Sequence, residues 1–220
     1  MIYFVYAFIF LKESPMCYHY SLRADSKMIE KEFEARLFDD DEFEPRDAVN
    51  GFSHAKMPVI IDDEQEDILM FNWGLIPYWA KDDKIKKMTL NARIETVDTK
   101  PAFRNSVKNR CLIIADGFYE WQWLYSKGKE KQKYYIKPKN QEIFAFAGIY
   151  SNWTNPESGE EVNTYSIVTT EANELMSEIH NKKKRMPVIL RKQDRHLWLK
   201  QDPIEKFQFP YEVELSAEKV

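Results

Sequence analysis

The sequence predicts an α+β fold, a single domain built on an antiparallel, barrel-like β-sheet with flanking helices. Three observations predict it. Short apolar runs with strand chemistry follow one another along the chain, turn residues separate them, and few connections are long enough to join parallel strands. A chain of 220 residues can bury the core of one such domain.

The first helix is predicted directly after Asp25 or Ser26, since either side chain can cap a helix N-terminus. Met28, Ile29, Phe33 and Leu37 then fall near helical spacing. An acidic connector follows this helix. We therefore expect one short amphipathic helix before the main run of strands.

Seven apolar runs after the connector carry the β-branched and aromatic residues typical of strands. They cover residues 57–61, 68–73, 111–115, 118–124, 133–137, 143–150 and 164–169. Turn residues punctuate them in the manner of antiparallel hairpins. The turns are Asp116-Gly117, Lys127-Gly128 and Asn155-Pro156-Glu157-Ser158-Gly159. The chain is predicted to finish with a helix over 172–180, a strand over 187–190 and a helix over 194–199.

The first sixteen residues do not have the pattern of the start of a folded domain. They begin with an uncharged run, Met1 to Leu11, which is too short to span a bilayer as a helix. A secretory signal would also need a cationic start and small residues at the cleavage site. We expect residues 1–16 to be a leader or a mis-assigned start, absent from the active protein, and the domain to occupy 17–220. A structural β-strand and an export signal are the alternatives.

Removal of Met16 would make Cys17 the first residue, with an α-amine and a thiol on adjacent carbons. Such an aminothiol can condense with an aldehyde to a Schiff base, after which the thiol closes a five-membered ring. The α-amine is a better starting nucleophile than lysine because its reference pKa is about 7.7–8.0 rather than about 10.4. Cys17 is therefore a candidate nucleophile for aldehydes.

Composition favours a reduced, metal-free protein. Cys17 and Cys111 lack the spacing of a disulfide framework or a zinc site, and the four histidines show no ligand spacing. We expect no metal and no cofactor.

The net charge is −4, but basic residues concentrate in 81–110 and 182–195. These segments can present a positive face to a polyanion, although solvated loops explain the triple lysine equally well.

Two side chains are candidates for proton transfer. Glu120 stands in an aromatic strand, where alternation separates it from Tyr119 and Trp121. If the tryptophan face is core, Glu120 points into a cleft and can act as a general acid; an edge-strand glutamate in water is the alternative. His180 ends the predicted 172–180 helix, whose C-terminus favours a protonated imidazole. A structural histidine is the alternative there.

Planar and cationic side chains suited to nucleic acid lie in and near the first basic segment. Asn91, Arg93 and Arg104 combine an amide with guanidinium groups that can bind phosphate. Phe103 and Trp73 are rings that can stack on a base, although core packing is the default for aromatic residues.

Four ordered motifs together resemble the SOS-response-associated peptidase (SRAP) family. They are Met16-Cys17, Asn91-Ala92-Arg93-Ile94-Glu95-Thr96, Asp116-Gly117-Phe118-Tyr119-Glu120-Trp121 and His180 followed by Arg185-Met186-Pro187-Val188. The resemblance implies a sensor of abasic sites in single-stranded DNA, which links a terminal cysteine to the ring-opened sugar. On that likeness Cys17 forms the link, Asn91 positions it, and Glu120 and His180 move protons.

The resemblance also implies partners and a location. Arg93, Arg104 and Arg110 would contact the DNA backbone, and Trp73 and Phe103 would lie near the bases. The expected partner is single-stranded DNA containing abasic sites, bound by a monomer in the cytoplasm that associates with the nucleoid on damage. No membrane partner is expected. Self-processing, which the family name implies, would remove the leader, and weak lyase activity accompanies Schiff-base chemistry.

The sequence departs from the family pattern at two places. Tyr18-His19 stands where the family commonly has glycine and arginine, and Asn181 to Lys184 separate His180 from the Arg-Met-Pro element. Two rival functions remain open from the residues themselves. One is a cysteine peptidase using Cys17 with His180 as base, chiefly in self-processing, and the other is a non-covalent single-strand binder.

Overall fold

A computed structural model describes residues 18–38, 42–125 and 130–220. The predicted leader, Cys17 and the predicted turn Lys127-Gly128 lie outside the described residues. The described strands are β1 (His19–Leu22), β2 (Arg36–Leu37), β3 (Arg46–Asn50), β4 (Lys56–Ile61), β5 (Asp67–Trp73), β6 (Asn91–Arg93), β7 (Arg110–Ala115), β8 (Gly117–Trp123), β9 (Lys131–Pro138), β10 (Phe144–Thr154), β11 (Glu161–Glu171), β12 (Arg185–Pro187), β13 (Ile189–Leu190) and β14 (Leu215–Lys219). The described α-helices are α1 (Ser26–Phe33), α2 (Glu174–Ile179) and α3 (Arg195–Leu199).

The strands form two sheets. The first is antiparallel, in the order β14-β9-β8-β1-β3. In the second, antiparallel pairs join β11 to β10, β10 to β7, β7 to β4 and β4 to β5, and a parallel pairing of β5 with β11 closes the ring. Closing a sheet removes its unpaired edges. The predicted α+β class with an antiparallel, barrel-like sheet is confirmed.

The core fills the ring and the space between the sheets. All six residues of β7 are buried, and the first eight of β10 are buried as well. Such continuous apolar runs are typical of strands covered on both faces. Between the sheets, the hydroxyl groups of Tyr20 and Tyr165 lie 2.8 Å apart in a hydrogen bond. Tyr20 on β1 therefore ties the first sheet to the ring.

The helices begin where the sequence places their caps. Asp25 accepts a hydrogen bond from the backbone N–H of Met28 at 2.9 Å, so Asp25, rather than Ser26, caps α1. α1 ends at Phe33, followed by Glu34 in the left-handed conformation, so the predicted helical position Leu37 lies on β2 instead. Asn173 caps α2 through the Met176 N–H. No helix in the described part of the chain is both long and apolar enough to cross a bilayer.

The structure corrects several predicted connections. Asp116-Gly117 is not a hairpin turn, because β7 pairs with β10 and β4 whereas β8 pairs with β1 and β9. This dipeptide instead carries the chain from the ring to the first sheet. The β10–β11 hairpin around Asn155–Gly159 is present as predicted. The predicted strand 187–190 is divided into β12 and β13, which pair with different strands.

Candidate functional site

A cleft of about 300 Å³ opens beside the first sheet, where β1, β8 and β9 meet the end of α2. Its described lining combines rings, cations, a carboxyl group and an imidazole. The lining residues are Tyr18, His19, Phe52, Glu120, Trp121, Trp123, Lys131, His180, Lys182 and Lys183. Acid–base groups and cations therefore share one recess.

Strand register brings the start of β1 to Glu120. His19 pairs with Tyr119 and Tyr20 with Phe118 in the antiparallel β1–β8 ladder. Continuing this register by one residue places Tyr18 level with Glu120. Tyr18 is also the residue that follows Cys17 in the sequence. The strand that carries the candidate acid thus runs beside the chain segment adjoining the candidate nucleophile.

Glu120 is 5% exposed and lies on an internal strand, between β1 and β9. The alternative of an edge-strand glutamate in water is therefore wrong. The strand face that carries Trp121 and Trp123 is not core either. Both tryptophans are half-buried and line the cleft together with Glu120. A buried carboxyl group that faces a cleft is placed to exchange a proton with a bound molecule.

His180 follows the last residue of α2 and is held by backbone groups on both sides. The backbone N–H of His180 donates to the Met176 carbonyl at 2.8 Å. Its Nδ1 lies 3.0 Å from the Arg185 carbonyl oxygen and 3.2 Å from the Arg185 amide nitrogen, so either tautomer has a partner at that atom. The buried ring is consequently fixed in orientation.

Arg185 is itself anchored away from the cleft. Its guanidinium donates two hydrogen bonds to the Glu95 carboxylate, at 2.7 and 2.8 Å, and a third to the Thr169 carbonyl at 2.8 Å. Burial is the largest single effect on the pKa of Glu95 and acts to raise it. The hydrogen bonds from Arg185, a backbone hydrogen bond of Glu95 and the charges of Arg185 and Arg93 together outweigh burial, so the net pKa is lowered. This bidentate pair fixes the backbone that orients His180, and no local sequence pattern indicates the pairing.

Comparison with known proteins identifies the family. The model of the SOS response associated peptidase (SRAP) family matches residues 16–220. The chain belongs to the SRAP family. The abasic site processing proteins YoqW and YoaM of Bacillus subtilis are 46% and 41% identical over 144 and 188 residues. These matches cover 65% and 80% of this chain, and 62% and 80% of the relatives.

The chain therefore spans less than two thirds of the length of YoqW. A crystal structure of a protein from Bacteroides thetaiotaomicron is similar to the SRAP fold found here, with a TM-score of 0.84 and 33% identity. That similarity covers 93% of this chain and 92% of the other. The predicted resemblance to the SRAP family is confirmed.

His19, one of the departures from the SRAP pattern, lies in the cleft. Its ring centroid is 5.1 Å from that of Trp121, and its buried Nδ1 has no hydrogen-bond partner among the described residues. Burial, followed by the positive charge of Lys133, lowers the pKa of His19. The lowered pKa favours the neutral imidazole.

Asn91 and Arg93 of this SRAP chain lie on β6, which pairs in parallel with β11. Both are half-buried, and neither is among the described residues that line the cleft. Arg104 is exposed. Glu120 and His180 thus line one cleft, whereas Asn91, Arg93 and Arg104 are not among its described lining residues. Cys17 lies outside the described residues.

Three predicted DNA contacts are corrected by burial. Trp73 has no exposed surface, and its Nε1 donates to the Leu90 carbonyl at 2.9 Å. Arg110 donates to the carbonyl oxygens of Trp198 and Asp202 while its guanidinium lies over the Trp198 ring. Phe103 packs in the hydrophobic core. Trp73 therefore has no exposed surface to offer a base, and Arg110 and Phe103 have little to offer a phosphate or a base.

Some residues of the cleft carry no clear signal in the sequence. Nothing in the local pattern marks Phe52, Trp123 or Lys131, and the run Lys182-Lys183-Lys184 fits a solvated loop equally well. The β8–β9 hairpin is predicted from the sequence, and its register, which pairs Trp123 with Lys131, is the signal that places these two residues together. In the described part of the chain, no group of three or more His, Cys, Asp or Glu side chains is placed to hold a metal ion.

Proposed function

We propose that the protein processes abasic sites in single-stranded DNA by linking itself covalently to the sugar through an N-terminal Cys17. The observation that carries this proposal is the meeting of Glu120 and His180 in the cleft that Tyr18, the neighbour of Cys17, also lines. Relatives named abasic site processing proteins support it. Exposed Arg104 and the lysines of the cleft supply positive charge for the DNA backbone.

The reaction joins one aldehyde and one aminothiol with loss of one water. The α-amine of Cys17 attacks C1′ of the ring-opened deoxyribose to give a carbinolamine. Glu120 donates a proton to the departing oxygen, which leaves as water, and a Schiff base forms. The sulfur then bonds to the same carbon, its proton passes to the nitrogen, and a thiazolidine results.

His180 is proposed to stabilise the charged intermediate beside the phosphate. Its orientation follows from the backbone contacts at Nδ1, so the ring presents a constant face to the cleft. Positioning of this kind lowers the barrier without a further covalent step. Exposure of the α-amine requires removal of residues 1–16, and we propose that the protein performs that cleavage itself. The active form is proposed to be a cytoplasmic monomer that joins the nucleoid on damage.

The test is covalent capture of an oligonucleotide. Protein beginning at Cys17 is mixed with single-stranded DNA that carries one abasic site and is run on a denaturing gel, with intact mass measured before and after. We expect a shifted band whose mass equals protein plus DNA minus one water. Cys17→Ala should abolish the band, and Glu120→Gln should slow its formation by about 100-fold or more.

Glu178→Gln is the matched control, because Glu178 is an exposed carboxylate on α2 outside the cleft lining. It should leave the rate unchanged. An undiminished band with Cys17→Ala, or efficient linkage by protein that retains residue 1, would refute the proposal. Peptide cleavage that needs Cys17 and His180, without any DNA adduct, would instead establish the peptidase.

A further inference from the structure

The segment between His180 and Arg185 is attached to the end of β8. Asn181 Nδ2 donates to the Trp123 carbonyl at 2.9 Å, and the Trp123 N–H donates to Asn181 Oδ1 at 3.3 Å. Gln122 adds a hydrogen bond to the Glu178 carbonyl at 3.1 Å. One side chain thus satisfies both backbone groups of Trp123 and sets the position of the lysines that follow.

Two of the neighbouring lysines lie over the indole of Trp123. The Nζ atoms of Lys182 and Lys131 are 3.7 and 4.0 Å from its ring centroid. Lys133, two residues along β9, lies 4.0 Å from the Tyr119 ring. Within the described residues, none of these lysines has a carboxylate oxygen within 4 Å of its ammonium group. Their charge is therefore not neutralised by the described part of the protein.

Cations beside an aromatic face match the chemistry of single-stranded nucleic acid. A base that is not paired can stack on an indole, and the phosphates on either side of it attract ammonium groups. An exposed ammonium–ring contact is weak, whereas an ammonium–phosphate contact gains a charge-assisted hydrogen bond and releases counterions. The lysines can turn from the ring to the phosphates, which uncovers the indole for stacking.

We propose that Trp123, Lys131 and Lys182 form a second DNA subsite, which binds the base and phosphates of a nucleotide flanking the abasic site. These residues line the same cleft as Glu120 and His180, so a strand whose damaged sugar reaches Glu120 passes directly over the indole. The subsite rests on the proposed function for the identity of the neighbouring nucleotide. Its binding of an undamaged single strand does not depend on cross-linking.

The first experiment measures binding of a fluorescent, undamaged oligothymidylate by anisotropy over a range of salt concentrations. For Lys131→Gln/Lys182→Gln, the slope of log affinity against log salt should become shallower by about 1.4, or about 0.7 for each lost phosphate contact. Trp123→Ala should weaken binding on the order of tenfold, and Trp123→Phe should retain most of the affinity. Lys27→Gln/Lys31→Gln, with the same charge change on exposed lysines of α1, is the control and should match the wild type.

The second experiment uses abasic oligonucleotides with unpaired nucleotides on only the 5′ or only the 3′ side of the lesion. The double lysine variant should bind one of these two oligonucleotides more weakly than the wild type does, and the other with wild-type affinity. A double variant with wild-type affinity and slope would overturn the subsite, even if the wild type cross-links DNA. If the salt dependence of binding requires these lysines but the wild type forms no cross-link, the proposed function is refuted and the subsite is retained. Thermal melts establish that each variant is folded.

Discussion

At the scale of single residues, Arg185 has two separate structural tasks. Its backbone carbonyl and amide hold His180 Nδ1, and its guanidinium is fixed by Glu95 and by the Thr169 carbonyl. A bidentate arginine–carboxylate pair is directional, so it orients the backbone as well as neutralising charge. The pair therefore links the turn that follows β6 to the imidazole of the cleft.

The lowered pKa of Glu95 predicts how this pair responds to pH. A carboxyl group with a folded-state pKa below its unfolded value contributes stability above the unfolded pKa, near 4.5, and loses it as pH falls through the folded pKa. The Glu95 side chain is 31% exposed, so solvent screening limits the contribution to about 1 kcal/mol. We expect Glu95→Gln to unfold at lower urea concentration than the wild type at pH 7.

The difference between wild type and Glu95→Gln in free energy of unfolding should shrink as pH is lowered from 5 to about 3. Urea unfolding followed by circular dichroism across that range provides the measurement. Asp98→Asn, an exposed neighbour on the same turn, serves as the control and should show no such trend. A difference that stays constant with pH would show that the ionised pair contributes nothing.

At the scale of elements, β8 begins with a glycine because a neighbouring tyrosine leaves no room for a side chain there. A Cβ atom on Gly117 would lie 2.2 Å from the ring and hydroxyl atoms of Tyr135 on the neighbouring strand. Tyr135 is not easily displaced, since its hydroxyl donates to the Asp116 carbonyl at 3.1 Å. The aromatic ring thus crosses over the start of the strand that carries Glu120.

We predict that Gly117→Ala destabilises the protein by about 1–3 kcal/mol, the usual cost of overpacking. The same substitution should cost markedly less in a Tyr135→Ala background, where the obstructing ring is absent. A double-mutant cycle by urea unfolding measures the coupling. Equal costs in the two backgrounds would mean that the glycine is required for a reason other than the contact with Tyr135.

At the scale of the whole molecule, strands of the closed ring could be predicted from the sequence, but the pairing and packing of the elements against one another could not. The strands β4, β5 and β7 match the predicted runs within one residue at each end, because their side chains are mostly apolar and mostly buried. β1 is only four residues long and β3 is mostly exposed, so neither has a hydrophobic pattern strong enough to predict. Pairings across the sequence are set by tertiary packing.

The same limit applies to the candidate site. Glu120 and His180 were predictable as candidates by residue type and neighbouring motif, but their common cleft depends on contacts between β8 and the end of α2. Arg110 was predictable as a DNA contact by residue type, but the structure buries it. Arginine is rarely buried, yet here carbonyl oxygens and an indole ring compensate for the loss of water, and no local pattern indicates this.

The junction between the two sheets depends on Asp116, and its replacement gives a prediction for the whole fold. The Asp116 carboxylate accepts hydrogen bonds from the Ser21 hydroxyl at 2.6 Å, from the Ala24 N–H at 3.2 Å and from the Arg23 N–H. It therefore holds the end of β1 against the chain that passes from β7 to β8. Asp116→Ala leaves these donors without their acceptor and should lower the free energy of unfolding by about 2 kcal/mol.

Because β1 also leads back to Tyr18 in the cleft, loosening this junction should slow cross-link formation as well as lower stability. Asp47→Ala is the matched control, since the Asp47 carboxylate also binds Arg23 but is 90% exposed and should change stability by less than about 0.5 kcal/mol. Urea unfolding and the rate of cross-linking measured on the same samples separate the two effects. If Asp116→Ala behaves like Asp47→Ala in both measurements, the two sheets are held together by the core alone, through contacts such as that between Tyr20 and Tyr165.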